Sequence, residues 1–439
     1  MQRSAMPAEL ARRVKVEAGH RCAIHTCKQT PVEIAHIVPW SEVQEHRFDN
    51  LIALCPTCHT RFDRGEIDRP SMRRYKASLV AAERPGRPSL PGAWTSVAPM
   101  HSARSNHSIS VIEHGALVIA GDASGRATEC YEPHSETWIR TAPLVHARQR
   151  HTATVLLDGR VIVARGVGMD GVGVMPVELY DSQRDTWEVI GTVHETRFAH
   201  TATRLPDGRV VIAGGREDTV QGIGVLRRST EIFNPDTGEL TLGPPMDEAR
   251  ADHTAHFVQS HLIVLGGDSG QGMTAAPEQL ALEGDLWESI AAPNYLRRVH
   301  ASAMLGSRIF VAGGLGTPDP AGLPDHTLHS AEAYDPEYGD WSELPPLTAP
   351  RIWFTITAFG EDRALIVGGC GPVGNYIWSS AEYLQVGATS TGSVGRMREP
   401  RSAHAAVLLA NGAVLVTGGQ NLCGSLASAE LFVPVANTG

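Results

Sequence analysis

The chain has 439 residues, with 44 glycines, 28 prolines and only 6% aromatic residues. This length exceeds the size at which a single hydrophobic core stops growing, so we expect two or more domains built from short elements and turns. No stretch approaches the roughly 18 continuous apolar residues of a membrane span, and the N-terminus lacks the apolar core of a secretion signal. We therefore expect a soluble, cytoplasmic protein with no membrane partner.

Charge is distributed unevenly along the chain, whose formal net charge is −10. Residues 1–86 contain 14 Lys/Arg and 10 Asp/Glu, whereas the remaining residues contain 24 and 38. A basic head on an acidic body favours contact between the head and phosphate groups. The excess in the head is small, so charge supports this interpretation without establishing it.

Two helices and a linker are predicted in the first part of the chain. Residues 7–19 form an amphipathic pattern that ends in glycine, and a short second helix is expected after His59. Residues 83–93 are rich in proline and glycine, which is typical of a linker. The predicted domains are therefore residues 1–82 and residues 94–439.

The seven cysteines are too unevenly spaced for a secreted disulfide framework. Cys130, Cys370 and Cys423 are isolated, and we expect the first two to be buried packing residues. The other four form two tight pairs, which are Cys22/Cys27 and Cys55/Cys58. Tetrahedral zinc takes four such thiolates, and a structural zinc ion would supply much of the folding energy of so small a module.

Three polar residues accompany these cysteines in a specific order. They lie in His36-Ile-Val-Pro, in Asn50-Leu-Ile-Ala-Leu-Cys55 and in Cys58-His59-Thr-Arg-Phe-Asp63. Residues 10–75 resemble the HNH, or ββα-metal, endonucleases, which are named for the residues at the positions of His36, Asn50 and His59. The resemblance implies a small α+β domain that binds zinc and cleaves nucleic acid.

The resemblance also implies a role for each residue of the site. His36 is the general base, which suits an imidazole that titrates near neutral pH, and Asn50 fixes the backbone that orients it. His59 and Asp63 bind the catalytic cation, and as residues i and i+4 they share one helix face. Their donor atoms suit Mg²⁺ or Mn²⁺, with Ni²⁺ as a further option.

The sequence departs from the family pattern at one position. Many members carry Asp or His directly before the base as a further metal ligand, and this chain has Ala35 there. Glu33 or solvent are candidates to fill the gap, and a weakened or inactive site is the alternative. Of the other nearby histidines, we expect His25 to be a turn residue and His46 to be a solvated surface residue.

From residue 94 onward the sequence repeats. An apolar strand that ends in a glycine pair or its remnant occurs seven times, and the 297 residues from Gly121 to Gly418 span six intervals with a mean of 49.5. Arg-x-x-His before the strand, with Phe354 in place of one histidine, and Glu-x-(aromatic or Leu) after it recur in register. This region resembles kelch repeats, which have about 50 residues per four-stranded blade. We therefore predict an all-β, seven-bladed propeller.

The ends of the repeat region predict how the ring closes. Residues 94–100 match the closing strand of a unit, whereas the last unit stops at Pro434 without one. We expect the 94–100 strand to complete the final blade, which removes the open sheet edge and places the head at the propeller rim.

Six of the histidines occupy one equivalent position per unit, and we expect them to pack strands. We expect the repeated Glu of each unit to form hydrogen bonds between blades. The predicted b–c and d–a loops share one face, which is the expected binding surface for a protein or a ligand. The longest b–c insertions are residues 166–176, 216–228, 315–329 and 371–379. Kelch-type scaffolds also support copper oxidase chemistry, but we find no Tyr/Cys/His constellation for it.

These observations favour a metal-dependent endonuclease that acts on DNA, with the propeller as a sensor or partner-binding module. Bacterial antiphage effectors join an HNH head to a sensor domain in a similar way, so analogy suggests a defence role. The alternative is an inactive zinc module that holds nucleic acid, attached to a scaffolding propeller. The sequence does not separate DNA from RNA, and a homodimer is compatible with it.

Overall fold

A computed structural model describes residues 6–17, 22, 24, 27, 30–43, 46, 50–69, 71–72, 92–192, 195–217, 224–270, 273–316, 326–359, 362–371, 376–385, 388 and 390–434. The chain forms two compact units, Met1–Arg87 and Pro88–Gly439. Most of the predicted linker, residues 83–91, lies outside the described residues. In the part of the chain that is described, no helix has the length and apolar character needed to cross a membrane.

The described residues of the first unit include helices and one hairpin. They are α1 (Ala8–Glu17), β1 (Glu33–His36), α2 (Trp40–Val43), β2 (Leu51–Leu54) and α3 (Pro56–Asp63). Strands β1 and β2 are antiparallel, with His36 opposite Leu51. Helix α3 begins before His59 rather than after it, because Pro56 fits the first turn of a helix, where its missing N–H has no partner to lose.

The hairpin separates two small cores. Successive residues of a strand point to opposite faces. On one face Leu51 and Ala53 pack against Val14 of α1. On the other face Ile52 and Leu54 pack with the four cysteines of the two pairs. The hairpin therefore joins the first helix to the predicted zinc cluster.

The second unit is a ring of seven four-stranded antiparallel sheets, so the predicted seven-bladed propeller is confirmed. Strands a to d are Ser108–Ile112, Gly115–Ile119, Thr128–Glu132 and Thr137–Thr141 in blade 1; Thr152–Val155, Val161–Ala164, Pro176–Asp181 and Thr186–Thr192 in blade 2; Thr201–Arg204, Val210–Ala213, Thr230–Phe233 and Leu240–Gly243 in blade 3; and Thr254–Val258, His261–Leu265, Glu278–Ala281 and Trp287–Ser289 in blade 4. They are Ala301–Leu305, Arg308–Ala312, Ala331–Asp335 and Asp340–Leu344 in blade 5; Thr355–Phe359, Arg363–Val367, Ser380–Gln385 and Gly392–Arg396 in blade 6; and Ala405–Leu408, Val414–Thr417, Ala429–Pro434 and Gly92–Val97 in blade 7. Strand a of each blade lies beside strand a of the next, which places the a strands around the central axis.

Short strands extend the loops that follow strand b and precede strand a. They are Arg216–Glu217, Val225–Leu226, Asp268–Gly270, Met273–Thr274, Arg297–Arg298, Leu315–Gly316, His326–Thr327, Gln420–Asn421 and Gly424–Ser425. Parts of the predicted insertions, residues 218–223, 317–325 and 372–375, lie outside the described residues. The remaining loop residues gather at the same end of the blades as the residues that open each strand a.

The last blade takes its outer strand from the start of the unit. Gly92–Val97 pairs antiparallel with Ala429–Pro434 as strand d of blade 7. The Trp94 indole donates a hydrogen bond to a blade 6 carbonyl at 2.9 Å, and the Trp138 indole makes the equivalent bond to the Ala98 carbonyl at 2.7 Å. The strand begins before the predicted residue 94, and its pairing along six positions covers the edge of Ala429–Pro434 and completes the four-stranded sheet.

A buried ion pair ties most blades to the loop that enters them. In blade 1 the Arg104 guanidinium pairs with Glu129, whose carboxylate also accepts the backbone N–H of His101 at 2.7 Å. The equivalent pairs are Arg148/Glu178, Arg250/Glu278, Arg297/Glu332, Arg351/Glu382 and Arg401/Glu430. Both partners are almost fully buried, so removing one would leave an unpaired charge in the core.

Blade 3 departs from this scheme. Arg165 stands where most blades have the first glycine of the pair, and its φ is +63°. Its guanidinium pairs with Glu231 of blade 3. The expected partner, Arg197, lies 3.9 Å from Glu231 and donates its hydrogen bonds to Glu195 at 2.8 Å and to Ser229 at 2.6 Å. An arginine of blade 2 therefore neutralises the buried carboxylate of blade 3.

In six of the seven blades a histidine forms a hydrogen bond to the preceding blade. Nε2 of His151 lies 2.7 Å from the hydroxyl of Ser108, the first residue of strand a in blade 1. The equivalent pairs, at 2.9–3.0 Å, are His200/Thr152, His253/Thr201, His300/Thr254 and His404/Thr355. His107 bonds instead to Thr417 at 2.9 Å, because strand a of blade 7 begins with Ala405, which has no hydroxyl.

Candidate functional site

The four paired cysteines converge on one point of the first unit. The sulfur atoms of Cys22, Cys27, Cys55 and Cys58 lie within 4.8 Å of one another, and those of Cys27 and Cys55 are 3.5 Å apart. Thiolates about 2.3 Å from a tetrahedral zinc ion stand roughly 3.8 Å apart, so this cluster fits a structural zinc. Within the described residues it is the one group of three or more ligand side chains placed to hold a metal.

The thiols of this cluster have different proton affinities. Burial raises the pKa of Cys22 and of Cys58. At Cys55 burial is outweighed by hydrogen bonds, first from the Cys58 backbone N–H and then from neighbouring thiols, so its pKa is lowered. The cluster therefore keeps protons in the absence of a cation, and binding zinc as a tetrathiolate would release them.

The predicted base is held at the end of the hairpin. His36 is the last residue of β1 and is 9% exposed. The next residue donates its N–H to the Asn50 carbonyl at 2.9 Å. The Asn50 side chain accepts the Val38 N–H at 2.8 Å and donates to the Val38 carbonyl at 3.0 Å. These two bonds tie the Asn50 side chain to the backbone that follows His36.

The two predicted cation ligands lie one turn apart on helix α3. Nε2 of His59 is 3.9 Å from Oδ2 of Asp63. Two ligand atoms that each lie about 2.1 Å from one cation are at most roughly 4.2 Å apart, so both side chains fit a single ion. Cys58 precedes His59 on this helix, which couples the position of the cation ligands to the cysteine cluster.

A carboxylate orients the imidazole of His59. Oε2 of Glu33 lies 2.9 Å from Nδ1 of His59, and an ionised carboxylate can only accept, so Nδ1 carries the proton. The unprotonated Nε2 is then the nitrogen that faces Asp63. A carboxylate in this position would fix the tautomer and raise the basicity of His59 if it bound a cation.

Many HNH members carry a metal ligand at the position of Ala35. In this structure the Glu33 carboxylate does not take the place of that ligand. Ala35 is 3% exposed and packs with Ile37 and Ile52, so it contributes only to the core. Glu33 lies two residues earlier on the same face of β1. It reaches the opposite nitrogen of His59 instead of the space between His59 and Asp63. The sequence had offered Glu33 as a substitute ligand, and its observed contact is that of an orienting residue.

The predicted base and the predicted cation ligands line one cavity of about 580 Å³. Its walls include His36, Trp40, His59, Asp63 and Arg69. The side chains of His59 and Asp63 are 26% and 68% exposed, so a phosphate group could reach them from solvent. The cavity therefore brings together an imidazole, two cation ligands and a guanidinium.

One residue of this site was missed by the sequence analysis. His46 is half-buried, not a solvated surface residue, and its Nδ1 lies 3.1 Å from Nε2 of His36. Its ring stacks on Trp40, with the two centroids 4.3 Å apart. A lone histidine in a polar segment gave no signal for this contact, because the loop that carries it is not periodic. The predicted turn residue His25 lies outside the described residues.

The repeated propeller histidines that the structure describes are buried packing residues. Burial, followed by nearby arginines, lowers the pKa of His151, His300 and His404 to about 3, so these imidazoles are neutral at physiological pH. Cys130 and Cys370 are 9% and 2% exposed, and burial raises the pKa of both thiols to about 11. Neither cysteine belongs to a metal-binding group within the described residues.

Family profiles match both units. The HNH endonuclease profile matches residues 20–63, which include the cysteine pairs, His36, Asn50, His59 and Asp63. The Kelch motif profile matches residues 297–348, in blade 5 and the loop that enters it. The chain thus carries an HNH region followed by a seven-bladed kelch propeller.

Curated relatives share only part of this chain. Alpha-scruin of Limulus polyphemus is 27% identical over 148 residues, which are 32% of this chain and 15% of that protein. Kelch-like protein 34 of Homo sapiens is 29% identical over 126 residues, 28% of this chain and 19% of that protein. The chain therefore spans less than a fifth of either relative.

Solved structures share the propeller fold. A fungal alcohol oxidase in complex with copper superposes with a TM-score of 0.63 at 15% identity, covering 78% of this chain and 76% of the oxidase. Identity at this level shows the fold alone. Within the described residues of this chain, the cysteine cluster of the first unit is the only candidate metal-binding group.

Proposed function

We propose that the first unit is a metal-dependent endonuclease that hydrolyses phosphodiester bonds of DNA. The observation that carries this proposal is the single cavity lined by His36, His59 and Asp63 beside a cluster of four cysteines. Phosphodiester hydrolysis requires an activated water, charge neutralisation on the phosphate and stabilisation of the leaving oxygen. Nothing in these residues separates DNA from RNA, and DNA is the substrate that the HNH resemblance favours.

His36 would accept the proton of the attacking water at Nε2. In the resting arrangement this atom shares a hydrogen bond with His46, so one of the two rings donates and the other accepts. The competent tautomer is the one in which His46 Nδ1 donates, because Nε2 of His36 is then unprotonated. The attacking water would have to replace the His46 N–H at this single lone pair. Asn50, through its bonds to Val38, would hold His36 in this orientation.

His59 and Asp63 would hold the divalent cation, for which Mg²⁺ and Mn²⁺ are the first choices and Ni²⁺ a further one. When bound, the cation would neutralise the phosphate and stabilise the leaving oxygen. Glu33 would keep Nε2 of His59 unprotonated and directed toward that position. The cysteine cluster would hold helix α3, and with it both ligands, at a fixed distance from the hairpin.

A plasmid assay tests this proposal. The full-length protein is incubated with supercoiled DNA and Mg²⁺, Mn²⁺ or Ni²⁺, and the nicked and linear forms are quantified. We expect cleavage that His36→Ala reduces by roughly two to four orders of magnitude, the usual contribution of a general base. His134→Ala, which changes an exposed propeller histidine, is the matched control and should cleave like the parent.

Two outcomes would contradict the proposal. Equal cleavage by the parent and by His36→Ala would remove His36 from the mechanism. Absence of cleavage on DNA and RNA with all three cations, combined with retained affinity for nucleic acid in a gel-shift assay, would favour the alternative. That alternative is an inactive zinc module that binds nucleic acid, attached to a scaffolding propeller, and Ala35 is the residue that motivates it.

The propeller is the proposed sensor or partner-binding module of the protein. Kelch repeats suggest a protein partner, and the face formed by the b–c and d–a loops is where we place it. A role in bacterial defence rests on the analogy of architecture. Free thiols at all seven cysteines suit the reducing cytoplasm that we propose as the location. A homodimer remains part of the proposal to be tested by light scattering.

A further inference from the structure

One residue in each blade forms a ring around the central axis. These residues directly precede the six histidines and Phe354, and all have φ between +50° and +55°. They are Asn106, Arg150, Ala199, Asp252, Val299, Trp353 and Ala403. The N–H of Arg150 donates to the Asn106 carbonyl at 3.1 Å, and that of Asn106 donates to the Ala403 carbonyl at 3.1 Å. The backbone of the ring is thus bonded from blade to blade, which leaves its side chains to face the opening.

All seven ring residues line one cavity, which we call the axial cavity. Its volume is about 450 Å³, within the range of sites that enclose a small organic ligand. Phe198, Arg216 and Gln420 complete its wall from the loops between blades. Every one of these residues belongs to the second unit, so the cavity is separate from the proposed nuclease site.

The axial cavity is lined by two arginines and one carboxylate. The Arg216 guanidinium is neutralised by Asp252, whose Oδ2 lies 2.8 Å away. Arg150 is exposed, and its guanidinium makes no ion pair or hydrogen bond with any side chain that the structure describes. Both guanidinium carbons lie 5.4 Å from the ring centroid of Phe198, which is buried between them. The aromatic ring therefore holds two arginines at one side of the cavity.

The arginine side of the axial cavity differs in charge from the rest of the propeller. Residues 87–439 contain 38 Asp/Glu and 24 Lys/Arg, so the propeller as a whole is acidic. The histidines in the cavity wall do not add charge, because burial lowers the pKa of His107, His151 and His200. An anion that enters this opening would meet a local field opposite to that of the remaining surface.

An aromatic surface lies across the ring from the arginine. Trp353 belongs to blade 6 and Arg150 to blade 2, with two blades between them on one side and three on the other. Trp353 is 48% exposed, although tryptophan usually buries most of its surface. Its indole N–H has no hydrogen-bond partner among the described residues. The exposed indole offers a flat stacking surface and one donor to a ligand.

We propose that the axial cavity binds a small organic anion, in which one carboxylate or phosphate group is attached to a planar ring. The anionic group would pair with Arg150, which makes no ion pair with any residue that the structure describes. The planar ring would stack on Trp353, and the amides of Asn106 and Gln420 would offer neutral hydrogen bonds. This inference does not depend on the proposed nuclease activity.

Matched ligand pairs test the proposal by isothermal calorimetry on the full-length protein. Indole-3-acetate is compared with indole-3-acetamide, and adenosine monophosphate with adenosine, so that each pair keeps its ring and differs in charge. We expect saturable binding of at least one anion and at least tenfold weaker binding of its neutral partner. The carboxylate and phosphate arms show which anionic group the cavity prefers.

Variants assign the binding to the cavity. Arg150→Gln should weaken the anion at least about tenfold, which corresponds to the loss of one charge-assisted pair. Trp353→Ala should weaken it about fivefold through lost stacking. Arg184→Gln is the matched control, because Arg184 has an 81% exposed side chain on an outer turn of blade 2, and it should bind like the parent. Urea unfolding of each variant checks that the propeller is intact.

Three results would overturn the proposal. One is equal affinity for the anionic and neutral members of both pairs. Another is unchanged affinity in a folded Arg150→Gln variant. The third is the lack of saturable binding by all four compounds at millimolar concentration. None of these measurements uses DNA cleavage, so failure of the nuclease proposal would leave them interpretable.

Discussion

Phe354 packs in one buried cluster with Ala301, the first residue of strand a in blade 5. In four other blade pairs a threonine begins strand a, and a histidine of the next blade bonds to its hydroxyl at 2.9–3.0 Å. Where the hydroxyl is missing at position 301, the imidazole is also missing and an apolar ring takes its place. The two positions, 53 residues apart, therefore have matched polarity.

This match predicts coupling between the equivalent residues of blades 4 and 5. His300→Phe should lower the free energy of unfolding by about 1–3 kcal/mol, because the buried Thr254 hydroxyl loses its partner. Adding Thr254→Ala should restore part of that loss by recreating the Phe354/Ala301 arrangement. Urea unfolding of the parent, both single variants and the double variant measures the coupling. Strictly additive effects would show that the two positions are independent.

The buried histidines of the propeller predict that it loses stability in acid. Burial lowers the pKa of His151, His300 and His404 to about 3, whereas an unfolded histidine titrates near 6.5. Between these values the unfolded state binds more protons, so stability is lost as the pH falls below about 6.5. Each such imidazole contributes up to about 1.4 kcal/mol per pH unit. Urea unfolding at pH 7, 6 and 5 would give the slope.

A matched pair of variants isolates this effect. His151→Gln removes one titrating group and should reduce the slope of stability against pH. His134→Gln changes an exposed histidine and should leave the slope unaltered. If His151→Gln kept the parent slope, its imidazole would not be the source of the acid sensitivity.

The cysteine cluster predicts bound zinc. Elemental analysis of the purified chain should find about one zinc ion per molecule, and Cys22→Ser should reduce that content and destabilise the first unit. Cys423→Ser, which changes an exposed cysteine outside the cluster, should keep the metal. Zinc should also dissociate as the pH is lowered, because thiolate ligands compete for protons. A chain that folds normally without zinc would remove the structural role of the cluster.

The orienting role of Glu33 predicts a change in cation affinity. Glu33→Ala should weaken Mn²⁺ binding at the His59 site by roughly 10–100-fold, because His59 loses the acceptor that fixes its tautomer. Glu33→Gln keeps an acceptor without the charge and should fall between the parent and Glu33→Ala. Calorimetric titration with Mn²⁺ on the zinc-loaded protein measures the affinities.

The control for this experiment is another carboxylate of the same unit. Glu66 lies 3.2 Å from the Arg61 guanidinium on the surface, and Glu66→Gln should bind Mn²⁺ like the parent. Equal affinities for the parent and Glu33→Ala would mean that the bond to His59 does not serve a cation site. Loss of affinity in both variants would indicate a general electrostatic effect instead.

The sequence by itself determined the elements that depend on local or periodic patterns. A repeat of about 50 residues predicted seven blades, because each blade must bury the same faces against its neighbours. The unpaired start and end of the repeat predicted a shared final blade. Two cysteine pairs predicted a metal cluster, because zinc requires four ligands at short range. The i and i+4 spacing of His59 and Asp63 placed both on one helix face.

Only the tertiary structure decided contacts between residues that no period relates. The bond from Glu33 to His59 spans 26 positions and joins a strand to a helix. Arg165 replaces Arg197 as the partner of Glu231 because two neighbouring blades bring their side chains to one buried site. The axial cavity is lined by residues from all seven blades. Of its two arginines, Arg216 forms an ion pair with a carboxylate of the cavity wall. Such pairings depend on packing in three dimensions, which a linear pattern does not encode.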